Sequence, residues 1–162
     1  MRIRPVPPAG THVELYVQSL SPTETRTSQE SRLRKLQRSD AVDSVEVVVT
    51  GDRICPETVA ATTEVGSVLL EKFEQFERWA AETDRTLGPA FRRETGQSLL
   101  TGASISGACF PDCAMAEYRD GTLSFVAPCR DGEREWSVPE RVAELVSGAE
   151  PGGSGVSGNR HA

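Results

Sequence analysis

The sequence predicts an α+β domain: a mixed β-sheet with helices packed on one face, in the order β-α-β-α-β-β-β-α. Three observations predict it. Apolar and polar residues alternate just after the start of the chain. Two segments with apolar residues at spacings of three and four separate the first strands. The second half is a run of short strand-like segments broken by turn residues.

The first strand begins at His12, where Val13, Leu15 and Val17 alternate with His12, Glu14, Tyr16 and Gln18. That period of two puts the apolar set on one face of a strand and the polar set on the other. A Ser-Pro-Thr segment then breaks the pattern. Thr27 and Glu30 have the spacing of a capping box, in which each side chain satisfies the other's free backbone N–H. The helix predicted from there carries Leu33 and Leu36 and ends near Ser39–Asp40. Residues 44–50, SVEVVVT, are β-branched with apolar residues on both faces, the pattern of a central strand.

Gly51 and Pro56 bracket a loop containing Cys55. A long helix is predicted from about Thr62 to about Arg85. Val65, Leu69, Phe73, Phe76 and Ala80 form its apolar stripe, and Glu71, Lys72, Glu74, Glu77 and Arg78 are assigned to the water side. Gly88 and Pro89 stop it. Phe91–Glu94 reads as a short strand, and residues 99–110, with small residues and two glycines, are ambiguous. Met115–Tyr118 and Leu123–Ala127 flank Asp120-Gly121, a strong hairpin signal. Ser137 and Glu140 make a second capping box, opening a helix with Val138, Val142, Leu145 and Val146. The expected domain plan is a flexible extension over 1–10, a single α+β domain over 11–147 and a disordered Gly/Ser-rich tail over 148–162.

Composition narrows the function classes. In 162 residues, 37% are hydrophobic, and no apolar run reaches the length that a membrane-spanning helix needs. The start, MRIRPVPPAG, is basic but is not followed by an apolar segment, so the expectation is a cytoplasmic protein without a secretory signal. The net charge of -6 repels nucleic-acid phosphate on average. Of the 18 basic residues, only Lys35 and Lys72 are lysines. A lysine-poor, acidic composition is that of proteins from salt-loving organisms, although GC-rich genomes give a similar bias.

Local chemistry offers two candidate sites. Arg32, Lys35 and Arg38 recur every three residues on the first helix, beside the Leu33/Leu36 stripe. A helix with one apolar and one basic side can sit against DNA phosphates, and these three are the candidate nucleic-acid contacts. The same run also reads as a solvated face countered by Glu30 and Asp40. Cys109, Cys113 and Cys129 are candidate zinc thiolates, with Cys55 or His12 as a fourth ligand. The paired two-residue spacing of zinc sites is absent, and buried thiols are the simpler reading. The histidines, His12 and His161, give no nucleophile–base pair, and neither GxxxxGK[ST] nor GxGxxG occurs. The expectation is therefore a non-enzymatic protein with no cofactor.

Three segments together carry a family resemblance: HVELYVQSL at 12–20, AVDSVEVVVTG at 41–51 and CAMAEYRDGTLSFVAPCRDG at 113–132. They resemble a group of small haloarchaeal proteins commonly labelled helix-turn-helix domain proteins. The resemblance runs over about residues 12–147. It implies DNA binding or transcriptional regulation and transfers no base-reading or catalytic residue. The expected function is a regulatory or interaction protein with DNA as its partner. The alternatives are a small-ligand or metal-sensing domain built on the cysteines, and a homodimeric module joined along a strand edge.

Overall fold

The structure is a computed structural model that describes residues 7–18, 24–51, 64–97 and 104–148. The loop with Cys55, most of the expected N-terminal extension and nearly all of the expected tail lie outside these residues.

The strand that starts the domain, β1 (Thr11–Val17), forms where the period of two predicts it. It is followed by α1 (Glu24–Arg38), β2 (Ser44–Val49) and α2 (Glu64–Glu82). After α2 come β3 (Arg92–Gln97), β4 (Ser104–Cys109), β5 (Cys113–Arg119), β6 (Thr122–Ala127), β7 (Cys129–Asp131), β8 (Arg134–Trp136) and α3 (Val138–Ser147). The α+β class and the mixed sheet are as expected. The strand count is higher, because β3–β4 and β7–β8 form two separate antiparallel hairpins beside a four-stranded sheet of order β2-β1-β5-β6. β1 runs parallel to β2 and antiparallel to β5, which pairs with β6 through the expected hairpin. Asp120 and Gly121 both have positive φ there (51° and 85°), the backbone a two-residue primed turn requires. Gly10 is also left-handed (φ 79°), and a Cβ on it would come within 2.4 Å of Asp43 Oδ2. Asp43 needs that approach, since its carboxylate accepts from Thr11 N–H at 2.8 Å and sets β1 beside β2.

Three expectations are corrected. First, the helices occupy both faces of the sheet. Leu15, Val17 and Val47 face Leu33 of α1, whereas Glu14, Tyr16 and Tyr118 face Lys72, Gln75 and Phe76 of α2. The alternation of a strand makes these opposite sides. The supposed polar face of β1 is therefore buried: His12, Glu14 and Tyr16 are all 0% exposed. Second, β2 is not central but ends the sheet order, and β1 and β5 are the central strands. Val47 faces Leu33 of α1, and Val48 on the other face is 1% exposed, so the strand's apolar residues on both faces reflect packing on both sides rather than strands on both edges. Third, α1 begins at Glu24, so Thr27 lies inside the helix and does not cap it. The other capping box forms as predicted: Ser137 Oγ accepts from Glu140 N–H, Glu140 returns a bond to Ser137 N–H, and Gly148 closes α3 with φ 82°.

The core joins sheet and helices through aromatic rings. Phe110, in the short link between β4 and β5, stacks on Tyr16 at 5.6 Å and meets Phe73, Phe76 and Phe91 edge-on. Edge-on and offset geometries satisfy the ring quadrupoles, so this cluster adds specificity to plain burial. Because Phe110 touches strand and helix together, Phe110→Ala should cost about 3–5 kcal/mol of stability, measured by urea denaturation.

Candidate functional site

The most chemically loaded region grows from the buried polar face of β1. His12 lies opposite Ser44 of β2 and Tyr118 of β5, and Glu14 lies opposite Glu46 of β2. The parallel register of β1 and β2 thus stacks two carboxylates and an imidazole on one face. His12 Nδ1 is 2.7 Å from Ser44 Oγ. Its Nε2 is 3.8 Å from both Glu14 Oε2 and Glu46 Oε2. His12, Glu14 and Glu46 each present a ligand-type atom, all within 4.8 Å of one another, and they form the only such three-residue group found among the described residues.

From α2, Lys72 reaches into the same region. Its ammonium donates to Glu14 Oε2 at 3.2 Å and to Tyr118 Oη at 3.0 Å, and Tyr118 donates on to Gln75 at 2.9 Å. Tyr16 donates to the other oxygen of Glu14. Burial alone would raise the Glu14 carboxyl, but His12, Lys72 and Tyr16 offset it and hold the group below its ordinary value. Burial, then the Glu14 charge, push both phenols up, so Tyr16 and Tyr118 act as hydrogen-bond donors rather than anions.

A second buried ion pair lies on the opposite face. Arg141 of α3 donates through Nε and Nη2 to both oxygens of Glu117, and the two side chains are 0% exposed. The guanidinium also lies 4.7 Å from the Phe125 ring centroid. A fork-to-fork pair of this kind fixes orientation as well as charge.

The basic candidates divide. Lys35 and Arg38 are exposed and share a shallow surface with Glu30, Ser31 and Arg34. Arg32 instead points to the sheet side of α1, where its guanidinium contacts Cys113 Sγ at 3.4 Å and lines a small apolar groove with Leu15, Leu33 and Val47. A helix advances 100° per residue, so Arg34 rather than Arg32 shares the face of Lys35 and Arg38.

The cysteine candidates do not converge on a common ion among the described residues. Cys109 and Cys129 are buried, Cys113 is half-buried, and none of the three is in a disulfide. They lie on different strand pairs: Cys109 opposite Arg92, Cys113 opposite Val17 and Cys129 opposite Trp136. Burial pushes the Cys129 thiol up to about 12 and also raises Cys113, so neither is a ready thiolate.

The buried network was misread in the sequence at two points. Lys72, placed by the helical pattern on the water side, is 3% exposed, and His12, in the polar set of β1, is 0% exposed. The signal for Lys72 was present: it stands three residues after Leu69 and four before Phe76, within the apolar stripe. Nothing local in β1 marks His12 or Glu14 as buried.

This fold and this network define an α+β domain with one central sheet covered on both sides and no helix long and apolar enough to cross a membrane among the described residues. Residues 6–150 match a family described as a helix-turn-helix domain, and the chain belongs to that family. No curated protein and no solved structure matches the chain. Among the described residues, no two helices follow one another across a short turn, since α1 leads into β2 and α2 into β3.

Two outcomes follow from this geometry. Lys72→Met leaves Glu14 buried without its cation and should cost about 3–5 kcal/mol at neutral pH. The stability linked to the depressed Glu14 carboxyl is present above its unfolded value near 4.5 and is lost as pH falls through the folded value. The difference between wild type and variant, read from urea melts across pH, should therefore narrow towards acid. Cys109 and Cys129 should resist iodoacetamide at pH 7.5 in the native protein and react once it is unfolded, as peptide mass spectrometry would show.

Proposed function

We propose that this protein is a non-enzymatic, cytoplasmic regulator that binds DNA through backbone phosphates along the exposed face of α1. The observation that carries this reading is the exposed basic cluster of Arg34, Lys35 and Arg38 on a helix of a chain that belongs to a helix-turn-helix family. No ion pair among the described residues engages these three side chains. Residues 30–38 hold four basic side chains against the single acidic Glu30. The exposed faces of the other helices do not suit phosphate: α2 presents Glu71 and Glu74, and α3 presents Glu140. Arg32 acts indirectly, anchoring α1 against β5 through Cys113.

α1 lies flat against the sheet, so contacts to the sugar-phosphate backbone suit it better than deep insertion of the helix into a groove. Such contacts weaken with salt, because each neutralised phosphate releases counterions. The lysine-poor, acidic composition supports a salt-rich cytosol, where the overall repulsion from a net charge of -6 is screened within a few ångströms.

The test is fluorescence anisotropy with a labelled mixed-sequence duplex over a range of potassium chloride, with circular dichroism confirming the fold at each point. Binding should weaken as salt rises. The Arg34/Lys35/Arg38→Glu variant should stay folded and lose binding by more than tenfold, whereas Arg32→Gln should change stability more than affinity. A folded protein that binds no duplex at any salt concentration would overturn the phosphate-contact reading.

A further inference from the structure

We propose that His12, Glu14 and Glu46 form a binding site for one divalent first-row transition-metal ion on the α2-covered face of the sheet. The donor set is an imidazole nitrogen and two carboxylates, which suits zinc, manganese or iron(II) better than the all-oxygen shells of magnesium and calcium. His12 is 0% exposed, and among the described residues its Nε2 has no hydrogen-bond partner. A buried polar nitrogen in that condition is costly unless something fills the direction of its lone pair.

That direction is lined by negative charge. Nε2 sits 3.8 Å from one oxygen of Glu14 and 3.8 Å from one oxygen of Glu46. The distance is too long for a direct hydrogen bond to either. It is only slightly wider than the donor–donor edge of roughly 3.3 Å implied by tetrahedral zinc bonds of about 2.0–2.1 Å. A small closure of Glu46, whose side chain is 19% exposed at the sheet edge, brings the three donors onto one ion and gives that ion a way in.

The surroundings have the features of an outer shell. Ser44 Oγ, 2.7 Å from His12 Nδ1, fixes the ring and leaves Nε2 to the metal when Nδ1 carries the proton. Tyr16 holds the far oxygen of the Glu14 carboxylate, Oε1, and Lys72 donates to Oε2 itself, the oxygen that faces His12 Nε2, so the carboxylate is fixed in orientation. The Lys72 ammonium also opposes a second positive charge, so the site is expected to bind reversibly rather than as a permanent structural ion. Three protein donors leave a coordination position open for water or a small ligand. The site is independent of the α1 surface, and its test is separate from DNA binding.

The experiment uses the tag-free full chain, stripped with chelator and titrated with cobalt(II), with zinc competition by calorimetry. The expected result is one ion per chain, weak visible cobalt bands without the intense near-ultraviolet bands of thiolate ligands, and proton release that weakens binding at lower pH. Glu46→Gln, shown to be folded by circular dichroism, should lose affinity by at least about tenfold, and His12→Gln likewise. If His12→Gln fails to fold, Glu46→Gln alone decides. Absence of saturable binding, a thiolate spectrum, or unchanged affinity in folded Glu46→Gln would each overturn the proposal.

Discussion

The structure depends on a constraint on its two central strands. β1 and β5 are covered on both faces, yet each carries a glutamate whose side chain is entirely inside. A buried carboxylate is tolerable only with a matching cation and filled hydrogen bonds. Each face supplies its own: Lys72 of α2 meets Glu14, and Arg141 of α3 meets Glu117. Glu14 and Glu117 point to opposite sides of adjacent strands, so the two ion pairs position helices on opposite faces. Misplacing either helix would leave a buried charge alone, which penalises alternative packings far more than a misplaced leucine would.

The aromatic cluster works with these pairs. Phe110 touches Tyr16 of β1 and Phe73 and Phe76 of α2, and so supports the strand face that Lys72 reaches. Around Phe125, Trp79 of α2 and Trp136 of β8 meet edge-on, with the Arg85 guanidinium over all three rings at 5.0–5.3 Å. Polar recognition selects the arrangement, while ring packing supplies most of the burial. With α2 and α3 committed inward by their cations, α1 is the described helix that keeps a basic face turned outward. The basic surface of α1 and the buried polar network are therefore separate in this molecule.

Much of the fold was legible. The alternation in β1, the stripe of α2, the Asp120-Gly121 turn and the Ser137/Glu140 box are local patterns, and each produced its element. The Asp131-Gly132 pair of the β7–β8 turn carried a similar signal. The candidate site was less legible. Basic spacing located α1 as the charged helix but grouped Arg32 with Lys35 and Arg38, because a spacing of three does not reveal which way the apolar stripe rotates the helix onto the sheet. The cysteines looked like a set only because they are rare. Strand pairing then sent Cys109 into a different hairpin from Cys113.

By itself the sequence determined β1, the three helices, the Asp120-Gly121 turn and the basic charge of α1, since these are written in residue types at short spacings. Only the tertiary structure decided that β1 has no wet face, that β2 ends the sheet, and that His12, Glu14 and Glu46 meet beneath Lys72. The reason is physical. A strand's alternation says which residues share a face, but not whether that face meets water or a helix. That depends on where α2, a helix nearly sixty residues further along the chain, comes to rest.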